Sequence, residues 1–143
     1  MISLPLAREL KQAGLVWPAT VNDFFAIPDR GMDDRVFVIT DLMANLDIFR
    51  GWPVVTFHGS AEWALDYILT AELIWLPTEL QLREALFKLL AGEILKSLQL
   101  TYDGRIYHCA VDLEAESVHF EASIAADAYG QTLLHFLDRP DPD

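Results

Sequence analysis

The chain is short of cysteine, of basic residues and of long apolar runs, and each shortage removes a class of protein. Its single cysteine, Cys109, excludes an intrachain disulfide and fits a reducing compartment. Only 10 Lys and Arg stand against 22 Asp and Glu, which gives the 143 residues a net charge of −12. Phosphate backbones and anionic lipid surfaces are bound by clustered cations, so the expectation is a protein that binds neither nucleic acid nor membrane. A basic protein partner stays compatible with this charge, although solubility alone accounts for it. No window reaches the roughly 18 uninterrupted apolar residues of a membrane helix. Met1-Ile2-Ser3-Leu4 also lacks the basic start and apolar run of a signal peptide, so a cytoplasmic location is expected.

Motifs are missing too. The chain has no G-x-x-x-x-G-K phosphate loop, no dinucleotide fingerprint and no G-x-S-x-G elbow, which leaves nucleotide chemistry unsupported and no cofactor expected. The absence of a recognisable catalytic set leans the reading away from an enzyme.

What is present is a core. With 52% hydrophobic and 11% aromatic residues, the composition is that of a packed globule, and the length suits one domain. The expectation is a single α+β domain over residues 1–138, an antiparallel sheet with helices mainly on one face, followed by an acidic, disordered tail at 139–143.

The chain is organised around Leu98–Leu137. Leu98 to Tyr102 alternates apolar and polar, Asp103-Gly104 reads as a two-residue turn, and Arg105 to Val111 returns. That centring puts Leu100 opposite Tyr107 and Leu98 opposite Cys109. Leu113 to Glu116 makes the next turn, and pairing Asp112 with Ser117 sets Val111 against Val118 and Cys109 against Phe120. One apolar face results. Ser123 is placed to cap a helix whose Ala125, Ala128, Tyr129, Thr132, Leu133, Phe136 and Leu137 form a stripe that can cover this face.

Earlier segments are less decisive. Ser3 can cap a helix with Leu6, Leu10 and Ala13 on one side and Gly14 at its end. Asp23–Ile27 reads as a strand, and Val36–Ile39 as a strand covered on both faces. A short helix is expected from Thr40 or Asp41 through Leu42, Met43, Leu46 and Phe49 to Gly51. An extended element over Trp52–Phe57 follows, closed by His58-Gly59, and then a helix from Ser60 through Trp63, Ala64, Tyr67 and Ile68. Thr78-Glu79-Leu80-Gln81 is a capping box opening a helix with Leu82, Leu86, Leu89 and Leu90 inward, which stops at Gly92 or, as Leu90, Ile94 and Leu98 keep the spacing, runs on to about Lys96.

The same strand pairing places one chemical constellation on the opposite, polar face. His108 lies opposite Glu121, and His119, paired with Ala110, sits diagonally beside His108. Two imidazoles and a carboxylate can hold a divalent metal with positions left open for water or substrate. The simpler alternative is a solvated face that also carries Ser97, Gln99 and Thr101. Cys109 points the other way from His108, so the two cannot form a nucleophile pair and Cys109 reads as a small core residue. The four tryptophans read as core or interface anchors, with at least one exposed.

Several stretches carry a likeness: Ser3 to Trp17, Asp23-Phe24-Phe25-Ala26-Ile27-Pro28-Asp29, Trp75-Leu76-Pro77-Thr78 with Gln81-Leu82, and Phe120-Glu121-Ala122 with Ala128-Tyr129-Gly130. In these the chain resembles a group of short uncharacterised bacterial and phage-encoded proteins, some labelled pilus-assembly proteins. The resemblance covers most of the chain and implies no site residue.

Three functions are compatible with these observations. The first is a non-enzymatic protein-binding or regulatory domain, able to associate with itself. The second is an acidic inhibitor or immunity-type protein for a basic partner, and the third a small metal-dependent enzyme built on His108, His119 and Glu121.

Overall fold

Three helices and nine short strands make up the described part of a computed structural model, which covers residues 1–40, 44–57 and 67–139. In chain order they are α1 (Leu4–Gln12), β1 (Phe24–Ala26), β2 (Phe37–Val38), β3 (Ala44–Phe49), β4 (Trp52–Phe57), β5 (Tyr67–Leu69), β6 (Ile74–Trp75), α2 (Glu79–Leu89), β7 (Leu95–Tyr102), β8 (Tyr107–Leu113), β9 (Ser117–Ala122) and α3 (Ala125–Leu137). The architecture is α+β. The strands form three antiparallel three-stranded sheets, ordered β2-β1-β6, β3-β4-β5 and β7-β8-β9. Packing divides the chain into two compact units, Met1–Leu15 with Pro77–Asp143, and Val16–Leu76.

In the first unit the period-2 pattern of β8 decides which face is covered. Cys109, Val111 and Leu113 are buried while His108, Ala110 and Asp112 are only partly so. α3 lies over the buried face, presenting Ala125, Ala128, Tyr129, Thr132, Leu133 and Phe136, each also buried. Full burial of side chains such as Leu133 stabilises the pairing of helix and sheet by about 1.5–3 kcal/mol each. The β8–β9 register is the one expected, with Val111 opposite Val118, Cys109 opposite Phe120 and His108 opposite Glu121.

The β7–β8 register is corrected by two residues. Leu100 pairs with Cys109 and Leu98 with Val111, where a turn centred on Asp103-Gly104 would pair Leu98 with Cys109. Asp103 is instead the corner of the turn. Its N–H donates to the Ile106 carbonyl at 3.2 Å, and its Oδ1 accepts from the amides of Arg105 at 2.8 Å and Ile106 at 3.0 Å. Gly104, with φ of +95°, then takes the first central position, where a primed turn of this hand requires glycine. Because the shift is even, every side chain keeps its face.

Two helix ends also differ from expectation. Ser123 does not cap α3. The N-cap is Ile124, which has no side-chain cap, and Asp127 in the first turn supplies the negative group that the helix dipole favours. Leu89 is exposed, because Leu82, Leu86 and Leu90, four residues apart, already form the inward row of α2. The capping box is formed as expected, Thr78 Oγ1 accepting from the Gln81 amide at 3.3 Å and Gln81 Oε1 from the Thr78 amide at 2.9 Å. Gly14 ends α1 with φ of +101°, its N–H on the Lys11 carbonyl and that of Leu15 on the Leu10 carbonyl. Arg139 reaches back to Glu116 and, at 2.7 Å, to Glu93, while residues 140–143 lie outside the described part.

The second unit packs around Phe25, Ile27, Met32, Ile39, Val55, Ile68 and Leu73. Asp23 is buried beside it and accepts from the Trp17 indole N–H at 2.9 Å and the Thr20 amide at 3.1 Å, which ties the segment before β1 to the strand. Period-2 alternation sends Val36 and Val38 to an exposed face of β2 and Phe37 and Ile39 inward, correcting the reading of a strand covered on both faces. The helix expected through Leu46 and Phe49 is strand β3. Phe49 pairs with Trp52 across Arg50 and Gly51, both at positive φ, as a tight two-residue hairpin demands. Asp41, Leu42 and Met43 lie outside the described residues, as do His58-Gly59 and the expected helix over 60–66. Tyr67 and Ile68, read as the end of that helix, belong to β5 and pair with β4.

Candidate metal centre

The alternation that sends Cys109 and Val111 under α3 sends Thr101, His108, Ala110, His119 and Glu121 to the outer face of the closing sheet. Opposition brings His108 against Glu121, and the diagonal across Ala110 brings it against His119. The two imidazole rings meet edge to edge, with centroids 5.1 Å apart and planes inclined by 18°. His108 Nδ1 lies 2.9 Å from His119 Nε2 and 3.6 Å from Glu121 Oε1. One donor atom from each of the three residues thus falls within a sphere where all are less than 4.8 Å apart.

The other side of the His108 ring is occupied. Nε2 lies 2.7 Å from Asp103 Oδ2, and a carboxylate can only accept, so the proton of that bond sits on Nε2. In the neutral ring Nδ1 is then a bare lone pair directed at His119 and Glu121, the state a metal ligand must have. The hydrogen bond from His108 and the amides of Ile106 and Arg105 together hold the Asp103 carboxyl at about 2, below its usual 3.8.

Two of these separations are close to those of a coordination shell. Zinc–nitrogen bonds of about 2.0–2.1 Å at tetrahedral angles put neighbouring ligand atoms about 3.3 Å apart. The two separations made by His108, 2.9 Å to His119 and 3.6 Å to Glu121, lie on either side of that value, and all three donor atoms fall within 4.8 Å of one another. Imidazole nitrogens select zinc, nickel, copper or cobalt over the oxygen-seeking magnesium and calcium.

All three residues expected at the site therefore come together. Asp103 is the one that sequence reasoning missed, since a turn centred on Asp103-Gly104 assigns that carboxylate to the turn and leaves none for His108. Its signal was present in the strong preference of aspartate for turn corners, where the side chain bonds amides two and three residues on. His135 is not part of the cluster and lies in α3 against the rings of Phe120 and Phe136, with Nε2 buried. Cys109 is fully buried on the α3 side, and burial pushes its thiol up, partly offset by a hydrogen bond with Thr132.

Comparison of the chain with protein-family models, with curated proteins and with solved structures finds no match.

Proposed function

We propose that this protein binds a divalent transition-metal ion on the outer face of its closing sheet, through His108 Nδ1, His119 Nε2 and Glu121. The observation that carries the reading is the convergence of His119 Nε2 and a Glu121 oxygen on Nδ1 of His108, whose other ring nitrogen is taken by Asp103. Three protein ligands on an open face leave at least one position for water or for a group brought by a ligand, a donor number shared by catalytic zinc sites. Calorimetric titration of the purified protein with zinc or nickel is expected to show saturable one-to-one binding that His108→Ala and His119→Ala each abolish. Absence of saturable binding by the unaltered protein would remove the reading.

Protein binding, including association with a second copy, is the second reading, and one observation favours it. At the tip of the β3–β4 hairpin the directly paired Phe49 and Trp52 share one face and are 39% and 65% exposed, an apolar pair open to solvent. Sedimentation across micromolar concentrations is expected to show an oligomer that Trp52→Ala weakens, and a monomer throughout would count against self-association. An inhibitor role against a basic partner stays an expectation from the net charge alone.

A further inference from the structure

We infer that Asp103 is the positioning residue of the metal site, locking His108 in the tautomer that presents Nδ1 to the ion. The inference rests on the metal-binding reading above. It extends that reading by tying the site to the β7–β8 turn.

The two oxygens of Asp103 divide two tasks. Oδ1 accepts from the amides of Arg105 and Ile106 and so builds the corner. Oδ2 accepts from His108 Nε2 at 2.7 Å. Since the corner fixes the carboxylate, the carboxylate fixes the ring, and the proton that a free imidazole shares between its two nitrogens is held on the far one. Ligating histidines commonly hand their second nitrogen to such an outer partner, and losing the partner typically weakens metal binding 10–100-fold. His119 has to shed its Nε2 proton to the other ring nitrogen when the ion enters, whereas His108 is already prepared. Pre-setting one of two imidazoles removes part of the reorganisation that binding would otherwise require.

Asp103→Asn separates the two tasks. An asparagine Oδ1 can still accept from Arg105 and Ile106, so the corner survives. The amide NH2 replaces Oδ2, and a donor there requires His108 Nε2 to accept, which moves the ring proton to Nδ1 and closes the ligating lone pair. The variant therefore reverses one hydrogen bond while leaving the turn in place.

The test is nitrogen-15 NMR of the histidine rings in metal-free protein, together with zinc titration of the wild type and of D103N. Expected are an Nε2–H tautomer for His108 in the wild type and Nδ1–H in D103N, with zinc affinity 10–100-fold lower in the variant. An Nδ1–H tautomer in the wild type would overturn the inference, and that measurement needs no variant. So would a D103N protein that takes up zinc as tightly as the wild type. A wild type that takes up no zinc, whatever its tautomer, sinks the metal reading and this inference with it. Zinc bound equally by both proteins sinks the inference alone.

Discussion

Asp103 Oδ2 and His108 Nε2 lie 2.7 Å apart across the corner of the β7–β8 hairpin, and the same carboxylate holds two backbone amides through its other oxygen. One contribution to the pH dependence of folding follows from this contact. The carboxyl titrates at about 2 in the fold against 3.8 when unperturbed, so between these values the unfolded chain binds the proton that the folded one does not. The contribution to stability is complete above the unfolded value and is lost as pH falls through the folded one. Urea unfolding at pH 5, 4, 3 and 2 is expected to show stability falling across the acid end, with a smaller fall in Asp103→Ala. Parallel curves for the two proteins would show that the contact contributes nothing in solution.

Metal binding should register as stability. An ion that binds the folded chain alone stabilises it by about 2.7 kcal/mol at one hundred times its dissociation constant. Thermal melts are therefore expected to rise by several degrees on adding zinc and to return on adding a chelator. His119→Ala should abolish the response while leaving the metal-free melting temperature within about a degree, because His119 is exposed and surface substitutions change stability by only about 0.5 kcal/mol. An equal zinc response in that variant would place the ion elsewhere on the chain.

Cys109 should be chemically silent in the folded protein. It is fully buried between the sheet and α3 and its thiol is pushed up, so the thiolate that attacks disulfide reagents is scarce and shielded. An aromatic disulfide reagent at pH 8 is expected to label it only at the rate of unfolding, and at once in urea. Rapid stoichiometric labelling without denaturant would contradict the burial.

The closing sheet was legible because its alternation is long and self-consistent. Cys109, Val111, Val118 and Phe120 can share a face in only one parity, and an error of two residues in register preserves it. His108, His119 and Glu121 were found because the β8–β9 register was read as it is, and Asp103 was missed because it sits in the β7–β8 turn, where the two-residue error fell. The choice between a turn centred on Asp103-Gly104 and one centred on Gly104-Arg105 depends on where the aspartate side chain bonds, and residue spacing does not encode that. The Val16–Leu76 unit was harder to read because its strands are short, β1, β2, β5 and β6 having two or three residues each. Leu42, Met43, Leu46 and Phe49 satisfy helical spacing, yet Leu46 and Ile48 also satisfy a strand. What decides is Arg50, at φ of 52° in a hairpin position where asparagine or glycine is the usual signal.

The packing of α1 against α3 offers a graded test. A methyl group at Gly130 would stand 2.7 Å from Leu6 Cδ2 and 3.3 Å from Ile2 Cδ1, so the two helices approach closely at this glycine. In Gly130→Ala the nearest atom is the end of a leucine side chain that can rotate away. The change also removes the roughly 1 kcal/mol penalty of glycine inside a helix, and the two effects are expected to leave stability close to wild type. Gly130→Val adds two further carbons on a stiff, branched side chain, for which the buried Leu6 and Ile2 have no room, and should cost about 1–3 kcal/mol. Urea midpoints should therefore place wild type and the alanine variant together and the valine variant lower. A valine variant as stable as wild type would mean that the helices stand further apart in solution, and that the tie from the Ser3 amide to Asp127 Oδ1 at 2.8 Å does not hold α1 on α3.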